Sequence, residues 1–311
     1  MKALVTGGAG FIGSHLCRAL LKEGHQVRVL DNLSTGSLDN LADIGGEVEL
    51  MVASVADPEA CRSAVEGVQW VFHLAAIPSV PLSVEDPLGT HHVNATGTLN
   101  LLTAARDAKV KRLVYSASSA AYGDAPVLPK REDQTPCPQS PYAVQKVLGE
   151  YYISNYFSLY GFEAVSLRYF NVFGPRQDPN SPYGAVIPKF ISALLAGKTP
   201  MIFGDGRQSR DFIYVENAVH ANLLAAKADR SAMGQVYNVA CGQSYDLLEL
   251  LESLYTAVGT RIEPIFAPAR AGDVAHSCAD IARIADTLGY RVQVPFGEGL
   301  ARTVQWYREG H

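Results

Sequence analysis

The feature that most constrains the fold of this chain is a glycine-rich turn near its N-terminus, between the first apolar run and the first amphipathic segment. Ala3 to Thr6 is a short apolar run that leads into the sequence Gly7-Gly8-Ala9-Gly10-Phe11-Ile12-Gly13. Apolar residues then recur at helical spacing as far as Lys22. Glycine permits backbone conformations closed to other residues, and the N-terminus of a helix offers free N–H groups to a phosphate. The turn therefore predicts a site for the pyrophosphate of a dinucleotide, held by Gly7, Gly10, Phe11, Ile12 and Gly13.

The end of the second apolar run indicates which dinucleotide binds. Gln26 to Leu30 reads as a strand, and Asp31 follows it. A carboxylate there accepts hydrogen bonds from the adenosine ribose and repels the extra phosphate of NADP. No basic residue follows directly, so NAD is the predicted cofactor. The alternative interpretation is a tight turn that binds no ligand. In that case the preceding strand, the following helix and the acidic residue would occur together only by chance. The predicted ribose-side contacts are Asp31, Asn32, Ser34, Thr35 and Gly36.

Strand-like and helix-like segments alternate through the first half of the chain, which is typical of a parallel sheet covered on both faces. After Asn171 the alternation loosens, and the segment from Phe173 to Tyr183 is rich in Gly, Pro, Asn and Asp. We predict an α/β fold, a Rossmann-type doubly wound parallel sheet with a smaller C-terminal substrate-binding domain. The predicted division is 1–171 for the NAD-binding domain, with a returning segment near 212–239, and 172–311 for the substrate-binding domain.

Composition excludes several classes of protein. A net charge of −5 argues against nucleic acid as the main partner, because phosphate backbones require a basic face. The chain has five cysteines, an odd number, and no two of them have CxxC spacing. We therefore expect reduced thiols, as in the cytoplasm, and no metal site. No apolar stretch reaches the length of a membrane span, and the N-terminus runs directly into a strand, so neither a membrane anchor nor a signal peptide is expected.

Tyr142 and Lys146 lie four residues apart in a long predicted helix, so their side chains project from one face. We expect the ammonium to lower the pKa of the phenol, which would suit a base that takes a proton from a hydroxyl. The spacing alone more often means a solvated lysine above a tyrosine. Ser118 lies just past the end of a predicted strand, at the sheet edge where ligands gather, and it could hold the reacting hydroxyl. Ser116 could contact the cofactor instead, and for Ser119 capping and function are equally plausible.

These features together resemble the extended short-chain dehydrogenase/reductase family, and within it the NAD-dependent UDP-hexose 4-epimerases. The resemblance covers Lys2 to about Tyr307. Its motifs in this chain are TGGAGFIG from Thr6, HLAA from His73, SPYAVQK from Ser140, LRYFNVFGP from Leu167, SRDFIYVEN from Ser209 and AGDVAHSCAD from Ala271.

The resemblance implies roles for individual residues. Tyr142 is the expected catalytic base, Lys146 its partner and a ligand of the nicotinamide ribose, and Ser118 the residue that positions the hydroxyl. Further implied cofactor contacts are Ser54, Val55, Leu74, Ala75, Ala76, Asn94, Ser116 and Tyr169. Ser54 stands where the family often has an Asp that binds adenine. The implied contacts to the UDP-sugar are Ser118, Ser119, Tyr142, Asn171, Val186, Met201, Phe203, Arg210, Arg270, Asp273 and Ser277, with the two arginines on the diphosphate.

The residues after Ser118 favour one reaction within the family. Related dehydratases and decarboxylases carry an acid there, whereas this chain has Ser119-Ala120. Without that acid, inversion at C4 is favoured over elimination. A small residue at Ser277 resembles the branch that also accepts N-acetylhexosamines. A UDP-glucuronate 4-epimerase, another nucleotide-sugar dehydratase or decarboxylase, and a non-catalytic NAD-binding module are the alternatives. The helices predicted over Asn94 to Lys109 and Pro141 to Tyr160 resemble those of a four-helix homodimer interface.

Overall fold

The structure, a computed structural model, describes residues 1–179, 185–269 and 274–310. Its strands in chain order are β1 (Lys2–Thr6), β2 (Gln26–Asp31), β3 (Val48–Val52), β4 (Trp70–His73), β5 (Arg112–Ser118), β6 (Ala164–Tyr169), β7 (Asn171–Phe173), β8 (Met201–Phe203), β9 (Ser209–Arg210), β10 (Phe212–Tyr214), β11 (Val236–Val239), β12 (Tyr245–Asp246) and β13 (Ile265–Ala267). Its helices are α1 (Phe11–Lys22), α2 (Pro58–Val65), α3 (Val80–Glu85), α4 (Pro87–His91), α5 (Gly97–Asp107), α6 (Pro141–Tyr160), α7 (Val186–Leu195), α8 (Val215–Lys227), α9 (Leu247–Val258), α10 (Ala282–Leu288) and α11 (Phe296–Arg308).

Within the described ranges, seven strands form one parallel sheet in the order β11-β6-β5-β4-β1-β2-β3. The chain starts in the middle at β1, extends the sheet outward through β2 and β3, and then crosses to β4 on the other side of β1. The carboxyl ends of β1 and β4 therefore flank the switch point at which such sheets bind their ligands. The predicted Rossmann-type fold is confirmed.

Helices cover both faces of this sheet because its strands are apolar on both sides. Alternate residues of β1 enter two different cores: Ala3 and Val5 pack on one face, and Leu4 packs on the other. Helices α1 and α8 cover the first face, while α2, α5 and α6 cover the second. Helix α6, which carries the candidate catalytic pair, thus rests directly on β5 and β6.

A separate apolar core lies in the C-terminal half. It is formed largely by residues of α7, α9 and α11 together with β7 and β10. The phenyl ring of Phe173 lies edge-on to Phe212, Tyr214 and Phe296 at its centre. Strand β11 leaves this half and pairs with β6 at the edge of the main sheet. No helix of the described ranges is both long and apolar enough to cross a lipid bilayer.

The predicted helix over Asn94 to Lys109 differs from the observed one. Residues His92–Thr96 form a π-helical turn, and the regular helix α5 begins only at Gly97. Hydrophobic spacing could not reveal this, because the wider turn is stabilised by tertiary contacts of Asn94. The Asn94 side chain is buried, accepts from the N–H of Ile77 at 2.7 Å and donates to Gln145 Oε1 at 2.8 Å.

Candidate active site

The geometry of the glycine turn fits the pyrophosphate group that its sequence predicts. A Cβ on Gly13 would lie 2.1 Å from the carbonyl oxygen of Gly7, and one on Gly7 would lie 2.8 Å from the N of Ala75. Gly7 also has a φ of +71°, in the left-handed region that favours glycine. No side chain of the described residues caps the N-terminus of α1 at Gly10. The N–H groups of this first turn, including those of Phe11 and Ile12, are therefore left for an anion.

Asp31, the predicted contact of the adenosine ribose, lies beside the glycine turn. Its side chain is buried at the carboxyl end of β2, where Oδ2 accepts from the N–H of Ala9 at 2.9 Å and Oδ1 from that of Leu33 at 2.8 Å. The loop that follows is anchored to the same turn, because the N–H of Ser37 donates to the carbonyl oxygen of Ala9 at 3.1 Å. Each carboxylate oxygen retains a lone pair, so the residues present fit an NAD ribose.

The other residues predicted on this side of the site lie in the loop beside Asp31. Asn32 Oδ1 accepts from the N–H and the hydroxyl of Ser34, which shapes the loop. A Cβ on Gly36 would approach the carbonyl carbon of Ala9 to 2.9 Å, so this loop also packs on the glycine turn. Thr35 is exposed between them.

Five further predicted cofactor contacts follow the ends of β3 and β4. Ser54 Oγ accepts from the N–H of Ala56 at 3.1 Å, and Val55 is buried in the core. The N–H groups of Leu74 and Ala75 donate to the carbonyl and hydroxyl oxygens of Thr6, which holds both residues at the carboxyl edge of the sheet. Ala76 follows, half-buried at the same edge.

Helix α6 begins where it can present its first turn to this edge. The hydroxyl of Ser140 caps it by accepting from the N–H of Ala143 at 3.2 Å, and Pro141 occupies the first helical position, where no N–H is required. The backbone N–H of Tyr142 donates to Ser83 Oγ of α3 at 3.0 Å. The start of α6, which carries the candidate catalytic pair, is therefore held by a second helix.

Lys146 is buried, and its ammonium is held by β5. Nζ donates to the carbonyl oxygen of Ser116 at 2.8 Å and lies 5.2 Å from the ring centroid of Tyr115. Burial lowers the pKa of Lys146 to about 8, and the charge of Glu150 acts in the opposite direction.

The expectation that Lys146 lowers the pKa of Tyr142 is wrong for this structure. Burial raises the pKa of the phenol, and a hydrogen bond with Ser118 offsets part of that effect. The sequence showed the spacing of the pair but not the loss of water around it, and desolvation disfavours the phenolate. Tyr142 is therefore a protonated phenol in the protein alone.

Ser118 is the last residue of β5, and its hydroxyl takes part in two hydrogen bonds. Its Oγ accepts from the N–H of Ala120 at 3.2 Å, which starts the short 3₁₀ helix Ser119–Tyr122, and it also bonds to Tyr142. The capping interpretation and the functional one are thus compatible for this serine. Ser119 is half-buried beside it, and Ala120 follows, so the sequence after Ser118 places no carboxylate at this edge.

Ser116 and Tyr169, both predicted as cofactor contacts, belong to one buried group. The Tyr169 hydroxyl interacts with the side chains of Ser116 and Asn222, the latter at 3.0 Å. Burial raises the pKa of Tyr169 to about 12, so this phenol stays neutral. Its role in this structure is to fix the strand end that holds Lys146.

The residues predicted to bind the UDP-sugar are spread over several elements. Arg210 Nη1 donates to the carbonyl oxygens of Ser209 and Ala275, and the N–H of Ser277 donates to Ser209. Arg210 and Ser277 are therefore brought to one place. Asn171 is exposed at the start of β7, and Val186, Met201 and Phe203 lie on α7 and β8. Arg270 and Asp273 lie outside the described residues.

Asp211 is a functional candidate that the sequence analysis missed. It is fully buried, and its carboxylate accepts from the N–H groups of Cys241 at 2.9 Å, Gly242 at 3.0 Å and Ala279 at 3.2 Å. Its carbonyl oxygen also accepts from the N–H of Asn171 at 3.1 Å. Asp211 therefore joins the segments that carry Arg210, Asn171 and Ser277. Its position next to Arg210 was the available signal, but a lone acid in a motif does not reveal backbone donors from distant segments.

Comparison with known proteins agrees with this geometry. A sequence model described as the NAD dependent epimerase/dehydratase family matches residues 3–240. A UDP-glucose 4-epimerase from Mycolicibacterium smegmatis is 41% identical over 99% of both chains. A UDP-N-acetylglucosamine 4-epimerase from Methanobrevibacter ruminantium, solved with UDP-N-acetylmuramic acid, has a TM-score of 0.95, 41% identity, and coverage of 100% of this chain and 99% of its own. A Thermus thermophilus UDP-glucose 4-epimerase in complex with NAD has a TM-score of 0.91, 38% identity and full coverage of both chains.

Proposed function

The chain belongs to the NAD dependent epimerase/dehydratase family, and we propose that it is an isomerase that inverts C4 of UDP-hexoses through a 4-keto intermediate. One observation carries this proposal: Ser118, Tyr142 and Lys146 converge at the carboxyl edge of β5, and Ser119-Ala120 follows without an acid. Proton transfer at one hydroxyl needs only these three side chains, whereas elimination of water needs an additional acid.

The mechanism assigns each side chain a task. When bound, NAD supplies the hydride acceptor and donor for C4 and a positive charge that favours the phenolate. Tyr142 takes the proton from O4, Ser118 holds that oxygen as it becomes a carbonyl, and Lys146 keeps a positive charge beside the phenol. The 4-keto sugar turns about its diphosphate link, after which Tyr142 returns the proton to O4. Tight binding of UDP remote from C4 allows this rotation, because the reacting sugar is left free to turn.

We propose that the substrate range includes UDP-glucose and UDP-galactose together with UDP-GlcNAc and UDP-GalNAc. Ser277 is small and half-buried, and its backbone is tied to the strand of Arg210, which we propose as a diphosphate ligand. We retain the division 1–171 and 172–311 as part of this proposal, with the sugar in the second domain. The five cysteines are all free, which supports action in a reducing cytoplasm.

The test is product analysis by proton NMR. Purified protein is incubated separately with UDP-glucose, UDP-GlcNAc and UDP-glucuronate, first without and then with added NAD. A C4-inverted product supports the proposal, and the fastest substrate assigns the branch. A 4-keto-6-deoxy sugar or a pentose would instead place the enzyme in a dehydratase or decarboxylase branch. Bound NAD without turnover of any UDP-sugar would indicate a non-catalytic module.

We also propose that the enzyme is a homodimer. Of the two helices predicted to form the interface, α6 carries exposed apolar side chains, and the others of this set lie on α3 and α4, which pack against α6 and each other. Leu88 is 82% exposed and Tyr151 58%, which is unusual for such large apolar surfaces in a single chain. A second copy that presents the same helices would bury them in a self-complementary interface. The set consists of Val80, Val84, Leu88, Val144 and Tyr151.

A further inference from the structure

A buried ion pair lies one helical turn beyond the proposed catalytic lysine. Glu150 of α6 and Arg168 of β6 are each 3% exposed. The guanidinium donates through Nε to Oε1 at 2.7 Å and through Nη2 to Oε2 at 2.6 Å, so the pair is bidentate. Burying two charges costs free energy that well-packed apolar residues would avoid, so stability alone is a weak reason for this pair.

The carboxylate of this pair acts on Lys146. Glu150 follows Lys146 by four residues in the same helix, and side chains at that spacing are neighbours. The charge of Glu150 raises the pKa of Lys146 against the effect of burial. Burial raises the pKa of Glu150 itself, and the hydrogen bonds from Arg168 counter this, which favours the charged carboxylate.

The other groups that face Lys146 do not supply a negative charge. His73 of β4 is neutral, because burial lowers its pKa to about 3, and its two ring nitrogens bond to the hydroxyls of Thr6 and Thr98. Tyr115 of β5 has its pKa raised well above the ordinary value by burial, so it is a neutral phenol. Tyr142 is also a neutral phenol in the protein alone. Among the described residues, the charge that stabilises the Lys146 ammonium is therefore that of Glu150.

We propose that Glu150 is a positioning residue for the proposed epimerase reaction: its carboxylate, held by Arg168, keeps the Lys146 ammonium charged beside Tyr142. This inference rests on the proposed function, since it assigns Glu150 to the same proton transfer. Arg168 in turn lies with its guanidinium carbon 4.6 Å from the ring centroid of Tyr122, which holds the pair against the core. Glu150 acts through Lys146 and touches neither substrate nor cofactor in this account.

The test compares Glu150→Gln, which removes the carboxylate, with Arg168→Lys, which disturbs the same buried ion pair but keeps a cation beside the carboxylate. In Glu150→Gln, Lys146 loses its acidic neighbour and a buried cation remains, so the alkaline limb of the kcat/KM profile should move down by about one pH unit or more. Activity at pH 8.5 should then fall about tenfold, and at pH 7 only about twofold. In Arg168→Lys a cation still faces the carboxylate and keeps it charged, so the limb should not move to lower pH. Melting temperatures of both variants report the structural damage that they share.

A second readout follows the lysine directly. Protein labelled with 13C at Cε of lysine is titrated by NMR, and the Lys146 resonance is assigned by its absence in Lys146→Met. The midpoint should move to lower pH in Glu150→Gln and not in Arg168→Lys. If Glu150→Gln does not fold, the double variant Glu150→Gln/Arg168→Met removes both buried charges and should still lower the midpoint.

Equal shifts in the two single variants, or no shift in Glu150→Gln, would overturn the proposal in favour of a purely structural pair. Failure of the proposed function is a separate outcome. In that case the wild-type protein would turn over no UDP-sugar, while the NMR titration would still report whether Glu150 controls the ionisation of Lys146.

Discussion

Tyr142 is half-buried and bonded to Ser118, and Lys146 follows it by one helical turn, so the phenol hydroxyl is the atom on which the proposed chemistry depends. Tyr142→Phe removes only that hydroxyl. We expect kcat to fall at least about a hundredfold, because general acid–base catalysis contributes on that order, while bound NAD is retained. Turnover of UDP-glucose and the NAD content of purified protein are the measurements. Tyr160→Phe, at an exposed position on the same helix outside the proposed dimer contacts, is the matched control and should keep its activity.

Asp211 offers a second prediction at the scale of one residue. Asp211→Asn replaces the oxygen that accepts from the N–H groups of Gly242 and Ala279 by an NH₂ group. The NH₂ group can only donate, so these two backbone N–H groups lose their acceptor. We expect a loss of about 2 kcal/mol in the free energy of unfolding, measured in urea, and a higher KM for the UDP-sugar. Asp205→Asn is the control, since Asp205 accepts from a single N–H in an exposed turn. An unchanged KM in Asp211→Asn would argue against a link between this residue and the substrate segments.

At the scale of the secondary-structure element, the proposed role of the glycine turn at the start of α1 can be tested. Gly13→Ala places a Cβ 2.1 Å from the carbonyl oxygen of Gly7, so the turn has to shift. We expect the purified variant to lose its bound NAD, measured by absorbance after denaturation, with activity falling in proportion. Gly297→Ala in α11 is the control, because its Cβ would meet nothing within 4 Å. Full NAD content in Gly13→Ala would contradict the assignment of the turn to the pyrophosphate.

Prediction of the elements succeeded where the spacing of apolar residues is regular. Helices α1 and α6 lie where the sequence pattern placed them, because each has an amphipathic or continuously apolar run of sufficient length. Helices α3 and α4 were not predicted, since they are only six and five residues long and are started by local caps at Ser79 and Asp86. Short helices of this kind are stabilised by packing rather than by propensity.

At the scale of the whole molecule, basic side chains collect at the edge opposite the proposed site. A cavity of about 1150 Å³ there is lined by six cations and by two acids that form ion pairs with three of them: Arg106, Lys109, Lys111, Arg112, Lys227 and Arg230, with Glu23 and Glu163. Helices α1, α5, α6 and α8 all end at this edge, so the cations lie near four partially negative helix C-termini. Arg112, for example, donates to the carbonyl oxygens of Ala225 and Ala228. The negative ends of these helix dipoles explain why basic side chains collect at this cavity.

The proposed homodimer yields a prediction on the assembly. We expect light scattering at micromolar concentration to give twice the chain mass for the wild type. Tyr151→Glu should give the monomer mass, because burying an unpaired carboxylate in an apolar interface is unfavourable. Ile265→Glu, at a similarly exposed apolar position on β13, should remain a dimer. A monomeric wild type would contradict the proposal.

The sequence by itself determined the features that depend on short-range patterns. These are the parallel sheet with alternating helices, the glycine turn with Asp31 at the end of β2, and the Tyr142 and Lys146 pair, and each follows from residue spacing along one or two elements. The tertiary structure alone decided how these groups behave. Burial raises the pKa of Tyr142 where the sequence suggested a lowered one, and Asp211 and Glu150 find partners in distant segments. Desolvation and long-range hydrogen bonds depend on which segments meet, and that information is absent from local spacing.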